Sequence, residues 1–92
     1  MLGRKSIADK YFEDTPEEDE DGSWLVIYDF RRKANPRFWS NLRRLIGLVG
    51  GGSFVQYSVV KMTSKRGVGV AVKIARHYGA DVLVFKGEEV II

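Results

Sequence analysis

Asp29 is the only carboxylate between Gly22 and Ala80, a stretch that carries eleven Lys or Arg residues. It closes a strongly apolar run, Trp24-Leu25-Val26-Ile27-Tyr28, and is followed by Phe30 and then by Arg31, Arg32 and Lys33. A lone acid at the mouth of a buried strand, ringed by cations, is a place where a divalent metal and a phosphodiester can meet. Mg²⁺ is commonly held by one or two carboxylates plus waters and substrate phosphate. Bound there it would stabilise charge on the scissile phosphate and activate water, making Asp29 both metal ligand and catalytic residue. The same position suits an Asp that closes an Asx-turn or pairs with Arg31 or Arg32. Residue types alone leave both readings open.

The surrounding cations have a chemistry of their own. Arg31, Arg32, Lys33 and Arg37 fall within seven residues, and together with the free N–H groups of a helix start they suit contacts to successive phosphates. Lys65 and Arg66 open a second helix just before Gly67-Val68-Gly69. They read as further phosphate contacts, with glycines that let a phosphate approach the backbone. The pattern is neither a Walker loop nor a dinucleotide fingerprint, because the following residues do not fit. Arg43 and Arg44 either extend the basic stripe or are solvated helix charges. Phe38, Trp39, Tyr57 and Tyr78 are interleaved with these cations and can stack on bases, but their spacing is that of core residues. His77, late in its helix, sits where the helix dipole favours a cation.

Charge is distributed unevenly along the 92 residues. Residues 1–22 hold three cations against eight carboxylates, net −5, whereas residues 23–92 hold twelve against four, net +8. The overall +3 thus conceals an acidic, flexible arm (1–22) joined to a basic domain (23–92), and such asymmetry favours a polyanionic partner. Within the arm, Leu2, Ile7, Tyr11 and Phe12 are enough for a short helix or docking segment over residues 1–12, whereas residues 13–22 can bury nothing and read as linker. The arm can occupy the nucleic-acid site of its own chain, or serve only solubility. The chain has no Cys and one His, which excludes disulfides, thiolate metal sites and His clusters. No apolar run approaches the ~20 residues of a membrane span, and acids stand where a signal peptide would be apolar. A cytoplasmic protein without a membrane partner is expected.

These residues must be positioned by a small α+β domain. Trp24 to Phe30 is apolar on both faces, as in a strand covered on two sides or in an oligomer. Asn35-Pro36 reads as N-cap and first helical residue. Phe38, Trp39, Leu42, Leu45, Ile46 and Val49 follow at helical spacing, with Arg37, Ser40, Asn41, Arg43 and Arg44 on the other face, and Gly50-Gly51-Gly52 ends the helix. Ser53 to Met62 is strand-like, with a tight reversal expected near Ser58. Thr63 or Ser64 caps a second helix to Tyr78, closed by Gly79. Ala80–Phe85 is a third strand and Glu89–Ile92 a short extra C-terminal one. The order is β-α-β-β-α-β with two helices on one face of an antiparallel sheet, the ferredoxin-like arrangement. Edges such as Val90-Ile91-Ile92 invite dimerisation or exchange of the last strand.

A first strand ending Val26-Ile27-Tyr28-Asp29, then a helix, then Val55-Gln56-Tyr57-Ser58-Val59, then a helix leading into Asp81-Val82-Leu83-Val84-Phe85, resembles the CRISPR-associated protein 2 family over about residues 24–92. The resemblance implies a ferredoxin-like homodimer that works with the CRISPR integrase in acquiring spacers for antiviral defence. It also implies a metal-dependent endonuclease in some members, with Asp29 as metal ligand and Mg²⁺ shared by the two copies across the dimer axis. RNA and DNA remain equal alternatives as substrate. So does a non-catalytic nucleic-acid-binding or regulatory module that shares only the fold.

Overall fold

The computed structural model describes residues 5–16 and 20–92. Its elements run α1 (Ile7–Asp14), β1 (Asp21–Asp29), α2 (Pro36–Val49), β2 (Ser53–Gln56), β3 (Val59–Ser64), α3 (Lys65–His77) and β4 (Asp81–Lys86). The four strands form one antiparallel sheet in the order β2-β3-β1-β4. From β1 onward this is the ferredoxin-like layout, with α2 and α3 packed together on one face of the sheet. No helix among the described residues is long and apolar enough to cross a membrane.

Local chemistry sets the boundaries. Asn35 caps α2 by accepting from the Arg37 N–H at 2.9 Å, Pro36 occupies the first turn, and Gly50 ends the helix in the left-handed region at φ 69°, where a residue without a Cβ is least strained. Ser64 caps α3 by accepting from the Gly67 N–H at 3.1 Å. The expected reversal lies at Tyr57-Ser58, the turn between β2 and β3.

Burial alternates along β1. Trp24, Val26 and Tyr28 face the helices, and with Phe38, Leu42, Leu45, Val60, Met62, Val70 and Ile74 they are buried. The intervening Leu25 and Ile27 point to the opposite face, as period-two side-chain geometry requires. Within the chain β1 is therefore covered on one side, not on two.

Two glycines are fixed by close approach. A Cβ on Gly67 would lie 2.7 Å from Met62 Cε and 3.1 Å from Ser64 Oγ. That glycine lets α3 pack onto β3 and does not open a port for phosphate. Gly52 has φ 129°, and a Cβ there would meet the Lys61 carbonyl at 3.0 Å and Met62 Sδ at 3.2 Å. Gly52→Ala is expected to lower unfolding stability by about 2 kcal/mol, from backbone strain and contact with an immovable carbonyl; urea denaturation checks this.

Two expectations are corrected, and one segment is defined. Residues 7–14 of the acidic arm form a docked helix, where the apolar groups of residues 1–12 allow a short helix or docking segment. A capping box between Ser6 and Asp9 starts α1, and Ile7, Ala8, Tyr11 and Phe12 pack on the core cluster. Apolar residues three and four apart supply the docking stripe, with Ala8 buried and Ile7, Tyr11 and Phe12 half-buried. Residues 17–19 of the arm lie outside the described residues. Asn41, placed on the solvent face of its helix by periodicity, is 7% exposed beneath α1. Its side chain accepts from the Ala8 N–H at 2.9 Å and donates to the Arg37 carbonyl and the Tyr78 hydroxyl. Finally, Glu89–Ile92 forms no strand. The chain after β4 turns over the open side of the sheet, held by Gly87 N–H to the Ser23 carbonyl and by Lys61 to Glu89 at 2.9 Å. Val90, Ile91 and Ile92 are left exposed.

Candidate nucleic-acid and metal site

β1 delivers Asp29 to one end of the sheet, and the loop from Phe30 to Asn35 carries Arg31, Arg32 and Lys33 around it. All four charged side chains are exposed, and Arg37 stands exposed in the first turn of α2. The two structural roles considered for Asp29 are absent among the described residues: its carboxylate makes no hydrogen bond or ion pair. Arg31 turns instead to Asp81, with Nε 3.6 Å from Oδ2 between two strongly exposed side chains. Such a pair contributes little stability.

Asp81 is the residue that sequence reasoning missed. In the β1–β4 ladder it sits directly opposite Asp29, so the two Cα atoms are about 4.5–5.5 Å apart and both carboxylates emerge on the same face. Like charges facing each other across strands are unfavourable; the loop cations offset this. No local signal marks the pairing, since it depends on the register of strands 52 residues apart in sequence. No group of three or more His, Cys, Asp or Glu residues converges on a metal position among the described residues. Two hard oxygen donors suit Mg²⁺, which keeps most of its coordination for water and phosphate. They do not suit metals that demand imidazole or thiolate.

Lys65 and Arg66 belong elsewhere. Ser64 pairs with Asp21 at the start of β1, so α3 begins at the end of the sheet opposite Asp29, about 26 Å away at ~3.3 Å per strand residue. There the Lys65 N–H donates to the Glu20 carbonyl at 2.9 Å. Arg66 donates to the Phe12 carbonyl at 2.7 Å and lies 3.7 Å from the centroid of the Phe12 ring. The structure thus places Arg31, Arg32 and Lys33 on the loop beside Asp29, with Arg37 in the first turn of the helix that follows, and separates Lys65 and Arg66 from them. Arg43 is exposed, and Arg44 pairs with Asp9 of α1 at 3.2 Å.

Aromatic rings form the inner wall of the site. Phe38 is fully buried as expected, but Tyr57 at the β2–β3 turn is 77% exposed. Its ring lies 4.8 Å from Trp39 at an interplanar angle of 47°. Beneath them Tyr28 is 2% exposed, and its hydroxyl is buried without a hydrogen-bond partner. Burial, reinforced by the neighbouring Tyr57 phenol, pushes the Tyr28 hydroxyl up to about 12 from 10.0. The unfolded chain ionises first, so it binds fewer protons than the native state above pH 10, and stability falls as pH rises from about 10 to 12. In Tyr28→Phe that part of the alkaline decline should vanish. Removing the unpaired hydroxyl should also raise stability at pH 7 by about 1 kcal/mol; thermal melts across pH test both.

No protein-family model, curated protein or solved structure matches this chain.

Proposed function

We propose that this protein is a nucleic-acid-binding homodimer similar to CRISPR-associated protein 2. It would serve as a scaffold beside the CRISPR integrase in spacer acquisition and act as a Mg²⁺-dependent endonuclease through Asp29. The observation that carries this reading is the state of Asp29: an exposed carboxylate with no ion pair among the described residues, facing Asp81 and beside the loop that carries Arg31, Arg32 and Lys33. A carboxylate with a purely structural role would hold one of those cations. Asp29, with Asp81 beside it, would bind Mg²⁺, and the loop cations would hold the phosphates on either side of the scissile bond. Mg²⁺ would there supply charge stabilisation and a more acidic water.

The dimer reading rests on the uncovered side of the sheet. Leu25 lies opposite Phe85 and Ile27 opposite Leu83. Leu25, Leu83 and Phe85 are 39%, 62% and 56% exposed, an apolar patch of the kind that marks a protein contact. A second copy would cover it. The cellular setting is cytoplasmic in this reading.

A second reading, a nucleic-acid-binding module without catalysis, is favoured by the sparse donor set of two carboxylates per chain. Both readings require the loop to hold phosphates. Replacing Arg31, Arg32 and Lys33 together with Ser should reduce the slope of log K against log salt by about 2–3 for duplex DNA, close to 0.9 for each phosphate no longer neutralised. A slope unchanged from wild type would place the binding surface elsewhere and overturn both.

A further inference from the structure

The cavity beside Asp29 has a composition that phosphate binding does not require. It encloses about 150 Å³, and its walls include Tyr28, Trp39 and Tyr57, with Asp29, Arg32 and Lys33 around them. Tyr28 is 2% exposed and its hydroxyl has no hydrogen-bond partner. A buried, unsatisfied phenol is unfavourable for folding and is retained where it has a partner to meet. The rings are held from below: Tyr28 lies 4.8 Å from Phe38, and Trp39 lies 5.0 Å from Phe38 and 6.0 Å from Phe54. Only Tyr57, on a turn, is placed to move against an incoming ring.

Size and charge narrow the ligand. A volume of about 150 Å³ is below the ~300 Å³ at which drug-sized pockets begin, so the cavity admits one planar ring system and leaves any substituent outside. Aromatic cages elsewhere take cations, but Arg32 and Lys33 at this one repel them. A neutral flat ring joined to an anionic tail satisfies both conditions. Within a duplex such rings are stacked and paired, and a recess in a protein surface does not reach them.

We propose that this cavity receives a single unpaired nucleobase. With Tyr57 displaced on its turn, the base would stack on Trp39 and Tyr57, its edge would reach the Tyr28 hydroxyl that is closed off from solvent in the free protein, and its flanking phosphates would rest on Arg32 and Lys33. The proposal builds on the reading that the loop binds nucleic-acid phosphates, and adds that the protein distinguishes a single-stranded tail or end from a blunt duplex.

The test compares a blunt DNA duplex with the same duplex bearing a short single-stranded tail, by fluorescence anisotropy at fixed salt, for the wild type, Tyr28→Phe and Tyr57→Ala. The expected result is about tenfold tighter binding of the tailed duplex, as one base stacked on aromatic side chains provides. Tyr57→Ala should abolish that advantage, so that tailed and blunt duplexes bind this variant equally. Tyr28→Phe should reduce it several-fold in a protein that melts no lower than wild type, which separates loss of the hydroxyl from loss of fold. A 2-aminopurine in the tail should change fluorescence on binding in the wild type and in Tyr28→Phe, and not in Tyr57→Ala. Equal, salt-sensitive binding of the two duplexes would overturn the base pocket and leave the phosphate reading standing. Absence of binding by either would overturn both.

Discussion

Asp29→Ala is expected to lower Mg²⁺-dependent cleavage at least about 100-fold, the rate equivalent of ~3 kcal/mol of lost transition-state stabilisation, while duplex affinity stays at or above wild type. In the proposed mechanism the two effects separate because the carboxylate opposes the field of Arg31, Arg32 and Lys33 that would attract phosphate, yet would be the donor for the metal. A mutant that lost binding and cleavage together would have lost its fold or its surface, and would say nothing about metal. Asp29→Asn tests the same point with the shape retained. Without metal it relieves the repulsion from Asp81 across the β1–β4 ladder, so its melting temperature should equal or exceed that of wild type. Asp81→Asn belongs in the same series. If both carboxylates hold the ion, each variant needs more Mg²⁺ for half-maximal activity; if Asp29 acts alone, Asp81→Asn leaves the Mg²⁺ requirement unchanged.

The second large effect concerns assembly. Phe85→Glu should convert the proposed dimer to monomers, raising the dissociation constant by about 100-fold or more. Phe85 is 56% exposed, faces Leu25 in the ladder and lies outside the buried core cluster. The isolated fold should therefore tolerate the charge and keep its circular dichroism spectrum. Sedimentation velocity over a concentration series reads the outcome. A sedimentation profile identical to wild type would mean that this face is not the dimer interface, whatever the protein does with nucleic acid.

The distance over which residues interact explains what is legible in the chain. Asn35-Pro36, Gly50 and Ser64 act on backbone groups within a few residues of themselves, and each stands at the boundary its chemistry suggests. The alternation of helical and strand-like runs carries the element order from β1 to β4. The cations beside Asp29 are adjacent in sequence and stay adjacent in space. Lys65 and Arg66 share only their charge with that group, and the antiparallel pairing of β3 with β1 carries α3 to the far end of the sheet. Asp81 is invisible for the converse reason: register, not proximity in sequence, sets it against Asp29. The apolar groups of residues 1–12 mark a short helix or docking segment, but not where it docks. Asn41, a polar side chain on an apparently solvated face, gives no hint that this segment lies over it and donates the Ala8 N–H to it. Tyr28 is legible as core and not as a site, because the missing partner of its hydroxyl is a property of the packed structure.

The most direct test of the central claim is binding of a labelled DNA duplex by the full chain in Mg²⁺, from about 50 mM to about 200 mM salt, with cleavage read from the same samples. Phosphates held by Arg31, Arg32, Lys33 and Arg37 on two copies would make affinity fall by about a thousandfold or more over that range, and cleavage products should accumulate where binding is tight. No binding at the lowest salt, or an affinity indifferent to salt, would contradict the claim that this surface engages nucleic acid.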